Sequence, residues 1–289
     1  MQQIRTDLAL ENHEALRSSH QDLNGITLNE IHDLSLPATI THVQIHSKEG
    51  AELMHKSIGH YITIECSELI SENPEKIESL SNIFFHQLNQ LISISCPQPP
   101  RKIFFVGLGN RDVTADALGP RVLDHITMGD HEQFTLCGIA PGVMAKTGME
   151  TAMILEGIIS KSCPDLLIAI DALAARSIHR LHTTIQLTDT GIQPGSGVGN
   201  HRHILSKDNL KIPVIAIGIP TVVDAATIAL NFFEQLPQST HSDFSALATD
   251  AYHTLSSMYV TGKDIDLIID QLSQILVSGF EKTFQISNL

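Results

Sequence analysis

The rhythm of apolar positions changes near residue 100. Before it, apolar and polar residues alternate: 39–47 reads T-I-T-H-V-Q-I-H-S and 59–66 reads G-H-Y-I-T-I-E-C, the two-residue period of half-buried strands. Between 71 and 93, Ile77, Leu80, Ile83, Phe84, Leu88 and Leu91 recur at helical spacing, and Pro97, Pro99 and Pro100 close that helix. Beyond the prolines, short continuous apolar runs alternate with helical segments. Strands are predicted at 102–107, 133–138, 165–170, 183–188 and 213–219, and helices at 118–128, 148–162, 223–235, 243–257 and 263–285. Buried strands between helices predict an α/β fold, with a mixed, mostly parallel sheet covered by helices on both faces. Residues 1–36 read as polar and irregular apart from Asp7–Glu11, and 191–207, with four glycines in nine residues, as a long functional loop.

Composition narrows the class. The 289 residues are 42% apolar and 17% charged, which fits a folded globular chain. A formal charge of −14 disfavours nucleic acid or an anionic membrane as partner. Cys66, Cys96, Cys137 and Cys163 form no C-x-x-C pair, so reduced thiols in a cytosol-like compartment are expected. The first residues lack the apolar stretch of a signal peptide, and no run approaches the ~20 residues of a membrane span. An intracellular, soluble protein is the expectation.

Two aspartates carry the candidate chemistry. Asp116 follows the run 103–106 and the turn Gly107-Leu108-Gly109-Asn110, while Asp171 stands directly after Leu166–Ile170. Carboxyl ends of neighbouring strands in an open α/β sheet converge on one crevice, so both acids can face one substrate. Asp116 has a second reading, as the cap of the helix starting near Leu118. An acid after five apolar residues, as at Asp171, is either buried with a partner or functional. Gly107-x-Gly109 lacks the third glycine of a dinucleotide fingerprint, since position 112 is Asp, and no phosphate-binding P-loop occurs. Asp189-Thr190-Gly191 copies the triplet of pepsin-like proteases, but those folds are all-β, so it reads as a turn, with Asp189 kept as an assisting candidate. Sixteen histidines raise the question of a metal. His201-x-His203 and the pair His179 and His182 bring no clear third ligand, and neither metal nor cofactor is expected. Ser196, between Gly195 and Gly197, has no nucleophile elbow and reads as a backbone or substrate contact.

Longer blocks then become recognisable. Arg5–Glu11, Gly107–Asn110, Asp116–Pro120, Ala140–Met144, Ile170–Arg176, Asp189–Gly191, Pro194–Asn200 and Pro213–Asp224, in that order, resemble the germination protease family of spore endopeptidases. The resemblance implies a fold similar to hydrogenase-maturation proteases. It implies an endopeptidase that begins degradation of small acid-soluble spore proteins at germination, made as a zymogen, assembled as a homotetramer and located in the cytoplasm of the forespore or the spore core. Asp116 and Asp171 fall on the family's catalytic aspartates. Family substrates are cut within a pattern that Thr6-Asp7-Leu8-Ala9-Leu10-Glu11 nearly copies, which predicts self-processing between Asp7 and Leu8. Residues 1–7 would then be a short propeptide and 8–289 one peptidase domain, with 97–289 its central sheet and catalytic core.

The implied mechanism is aspartic. Two neighbouring acids cannot both ionise easily, so one keeps a proton while the other activates water. Backbone N–H groups of 107–110 or 195–199, including Gly195, Gly197 and Gly199, are candidates to hold the oxyanion, and Asn110 or Arg176 to steady the pair. Two alternatives remain at this level: a metal-dependent peptidase using Asp116, Asp171 and a histidine, and a spore-protein binding module without turnover.

Overall fold

The computed structural model describes residues 6–18, 23–33, 36–194, 204–234 and 254–286. Its strands are β1 (Ile26–His32), β2 (Ala38–Ile45), β3 (Gly59–Cys66), β4 (Lys102–Gly107), β5 (Gly129–Asp130), β6 (Thr135–Ile139), β7 (Leu166–Ala175), β8 (Thr184–Thr188), β9 (Val214–Asp224) and β10 (Tyr259–Val260). They form one sheet in the order β1-β2-β3-β8-β9-β7-β4-β6-β5, with β10 also on β9. Pairing is parallel through β6-β4-β7-β9 and antiparallel elsewhere. The mixed α/β architecture expected from the alternating runs is therefore present, its parallel part confined to the centre.

The helices are α1 (Ala9–Ser18), α2 (Lys48–Met54), α3 (Pro74–Ser95), α4 (Leu118–His125), α5 (Met144–Thr147), α6 (Thr151–Ser162), α7 (Lys207–Leu210), α8 (Ala225–Glu234) and α9 (Ile265–Thr283). Central strands carry continuous apolar runs, such as Ile103–Val106 and Leu166–Ile170, because both faces are covered. Ile103, Phe105, Ile168 and Ile170 meet α3, α4 and α9 on one face, and Phe104, Val106, Leu167 and Ala169 meet α6 on the other. On the first face, Phe105 and Phe84 each set an edge against Phe280, at 5.1 and 5.3 Å between ring centres. No helix among the described residues is long and apolar enough to cross a membrane.

Several boundaries differ from expectation. Residues 12–18 and 26–32, read as irregular, belong to α1 and β1. The buried positions of α1 include Glu11 and His13, and β1 exposes most of its residues, so neither shows an apolar period. The helix expected over 148–162 is present as α6 but starts three residues later, at Thr151, after Gly148, at φ +70°, has ended the short α5. Most of the helix expected at 243–257 lies outside the described residues. The consequential change is in β7, which runs to Ala175 rather than ending at 170. Asp171 is thus a strand residue.

Candidate active site

The site begins where β4 stops. Gly107 pairs with Ile170, and Leu108 N–H still donates to the Ile170 carbonyl at 2.8 Å, but beyond that pair β7 runs on without β4 beside it. From β4 the chain crosses to α4 on one face, and from β6 to α6 on the other, so the end of β4 is the switch point where a crevice opens. A Cβ on Gly107 would lie 2.5 Å from the Gly119 carbonyl oxygen, so α4 packs here only because the strand ends in glycine.

Asp116 closes a short 3-10 turn, Thr114–Asp116, just before α4. Asn110 N–H donates to the Asp116 carbonyl at 3.0 Å, and Thr221 Oγ1 donates to that of Ala115 at 2.6 Å, tying the turn to β4 and β9. Gly109, at φ +111°, makes the bend, and a Cβ there would sit 1.9 Å from the Asp116 carbonyl oxygen. The N-cap of α4 is Ala117 with no side-chain capping bond, so the Asp116 carboxyl is not spent as a helix cap.

Asp171 is 8% exposed and pairs in register with Gly218 of β9. Its carboxyl is raised well above the ordinary carboxylate range, first by burial, then by the charges of Asp116 and Asp7, against one N–H bond from Ala172 at 2.9 Å. Burial also pushes Asp116 up, to about 6, opposed by the Asn110 N–H. Both carboxyls line one cavity of about 1230 Å³, and Asp116 stands near enough for its charge to act on Asp171.

The same cavity holds the chain's own N-terminal segment. Asp7 N–H donates to the Ala174 carbonyl at 3.1 Å, and Ala174 N–H returns a bond to Asp7 Oδ2 at 2.9 Å. Lys56 Nζ donates to the Asp7 carbonyl at 2.8 Å, as does Gln186 Nε2 at 3.3 Å. Leu8 is fully buried against Leu173, Ala175 and Val223. Glu11 then accepts the N–H groups of Arg176 and Ser177, at 2.8 and 2.9 Å, so the first turn of α1 is fixed to the end of β7.

The remaining candidates are dispersed. Asp189 is hydrogen-bonded to His60 N and Nδ1, both at 2.7 Å, while its neighbours Thr188 and Thr190 line the cavity. Arg176 meets α1 through its backbone N–H. Asn110 acts on Asp116 through its backbone, and its side chain accepts from Asp112 N–H. Gly109 lines the cavity and Gly107 packs beneath it. Gly195, Ser196, Gly197 and Gly199, with His201 and His203, lie outside the described residues. Among the described residues no three His, Cys, Asp or Glu side chains are placed to hold a metal ion, and His182 bonds the Thr221 carbonyl. Sequence reasoning passed over Lys56 and Gln186. Gln186 had one visible signal, a polar residue centred in the apolar alternation T-I-Q-L-T; Lys56, on a turn, had none.

Comparison with known proteins agrees with the motifs. The Germination protease family profile matches residues 4–236. A germination protease of Clostridium acetobutylicum is 36% identical, over 99% of this chain and 96% of its own length. One from Bacillus pumilus is 44% identical, over 78% of this chain and 65% of its own. A solved hydrogenase maturation protease, HycI from Thermococcus kodakarensis, matches 68% of this chain and 99% of its own at 15% identity and a TM-score of 0.37, a likeness too slight to bear on the site. With four-fifths of its length under one profile and a relative aligned from end to end, this chain belongs to the germination protease family.

Proposed function

We propose that this protease is an endopeptidase of aspartic type, in which Asp116 and Asp171 activate water between them. One observation carries the reading: two carboxyls from distant stretches of chain share a cavity wall, and the enclosed one feels the charge of the other. Asp171, the more enclosed of the two and pushed well above the ordinary carboxylate range by burial and by the charge of Asp116, keeps its proton, and Asp116 is the base. Asp116 takes a proton as water attacks the peptide carbonyl, and Asp171 protonates the departing amine. Family membership supplies the substrate class, small acid-soluble spore proteins cut at germination inside the spore core, and supports assembly as a homotetramer.

The chain is a self-processing zymogen, cut between Asp7 and Leu8. The docked segment supports this: Asp7 lines the catalytic cavity and Leu8 is buried behind it against Leu173 and Val223, with the peptide between them bonded at its carbonyl. Incubation with a purified small acid-soluble spore protein tests the whole reading, with products identified by mass spectrometry. Wild type yields defined fragments and, with time, a chain beginning at Leu8, whereas Asp171→Asn yields neither. Turnover by folded Asp171→Asn, or a complex formed without fragments by wild type, overturns the assignment.

A further inference from the structure

We propose that Lys56 and Gln186 form the oxyanion site of this peptidase, gripping together the carbonyl oxygen of the residue on the amino side of the cut. The proposal rests on the aspartate reading and on the Asp7–Leu8 cut. Lys56 Nζ and Gln186 Nε2 both donate to the Asp7 carbonyl, at 2.8 and 3.3 Å, and this is the carbonyl of the bond to be broken. Gln186 lies on β8 and is 7% exposed, and its amide orientation is fixed rather than chosen. Its Oε1 accepts from Ala9 N–H at 2.7 Å, a group that can only donate, so Nε2 must face Asp7. One side chain thus holds the substrate on both sides of the scissile bond. Burial lowers the Lys56 pKa, while the charges of Asp7 and Glu11 favour its ammonium form.

The step balances as follows. Water oxygen bonds to the Asp7 carbonyl carbon, its proton passes to Asp116, and the carbonyl π pair moves onto oxygen, where Lys56 and Gln186 meet the negative charge. The carbonyl then reforms and the C–N bond breaks. Its electron pair leaves with the Leu8 nitrogen, which takes the Asp171 proton, and the proton held by Asp116 resets the pair. A cationic donor enclosed by protein is worth more than the same donor in water, because less solvent screens it.

A simple latch, in which Lys56 only tethers the N-terminal segment, makes a different prediction. The test uses the full-length protein, its own conversion to the form starting at Leu8, and its turnover of a synthetic peptide spanning residues 1–13. The expected result for Lys56→Met is a kcat lower by about 10²–10³-fold, the usual effect of removing an oxyanion donor, with KM changed far less. Gln186→Leu lowers kcat and raises KM, since it also loses the Ala9 bond, and Lys56→Arg restores part of the rate. If Lys56→Met does not give a wild-type melting curve, Lys56→Gln carries the same comparison. A folded Lys56 variant with normal kcat, or with its whole defect in KM, overturns the proposal while inactive Asp116→Asn and Asp171→Asn leave the aspartate reading standing. Active aspartate variants, or wild type that cuts neither itself nor the peptide, overturn both.

Discussion

At the scale of the residue, Asp116 and Asp171 are the same acid in two settings, and burial separates them. Asp116→Asn and Asp171→Asn should each lower kcat by about 10²–10⁴-fold, the usual range for a general acid or base, with unchanged circular dichroism. Turnover should rise with pH through about 6, as Asp116 ionises beside a protonated Asp171. Stability runs the other way. Folding raises the Asp116 pKa from the ordinary 3.8 to about 6, so the native state holds the proton more tightly than the unfolded chain. Its contribution to stability is therefore full below about pH 4 and lost as pH climbs through about 6, by roughly 3 kcal/mol in all. Urea unfolding at pH 4.5 and 7.5 measures this, and Asp116→Asn should remove that part of the slope.

At the scale of the element, the site depends on how closely backbone approaches backbone. Gly109→Ala places a methyl group on the Asp116 carbonyl and asks an L side chain to adopt φ +111°. Strain on the order of 1–3 kcal/mol and loss of most turnover are expected, read from melting and peptide cleavage together. Phe280→Ala, between Phe84 and Phe105 in the wall formed by α9, should cost about 3–5 kcal/mol in urea unfolding and leave KM alone. The central strands were legible because burial on both faces makes consecutive residues apolar, a signal that needs no knowledge of partners. Asp171 was legible too, though its strand was read five residues too short, ending at 170: a polar residue imitates an ending, and only pairing with Gly218 shows that the ladder continues. The helix α1 was illegible because its inner face carries Glu11, a charge buried for the N–H groups of Arg176 and Ser177, and periodicity scores apolar faces only. Lys56 and Gln186 meet at Asp7 across 130 residues of chain, and no local pattern records that meeting.

At the scale of the molecule, one sheet serves two ends. Its parallel centre opens the crevice, and the antiparallel β8, whose Gln186 and Thr188 line the cavity, closes one side of it. If protein carboxyls alone drive hydrolysis, exhaustive dialysis against a chelator should leave kcat within twofold of its starting value; a loss restored by added zinc or manganese would favour a metallopeptidase. The ties that hold α1 also decide what a cut can release. Arg180 grips Glu14 through both carboxylate oxygens at 2.7 Å and reaches Glu65 of β3 at 2.8 Å, and with Glu11 these anchors all lie on the carboxyl side of Leu8. A cut after Asp7 would therefore leave the helix riveted in place and free only what lies on the amino side of it. Maturation on these terms would vacate a slot in an otherwise finished enzyme, with no refolding of the helix beside it.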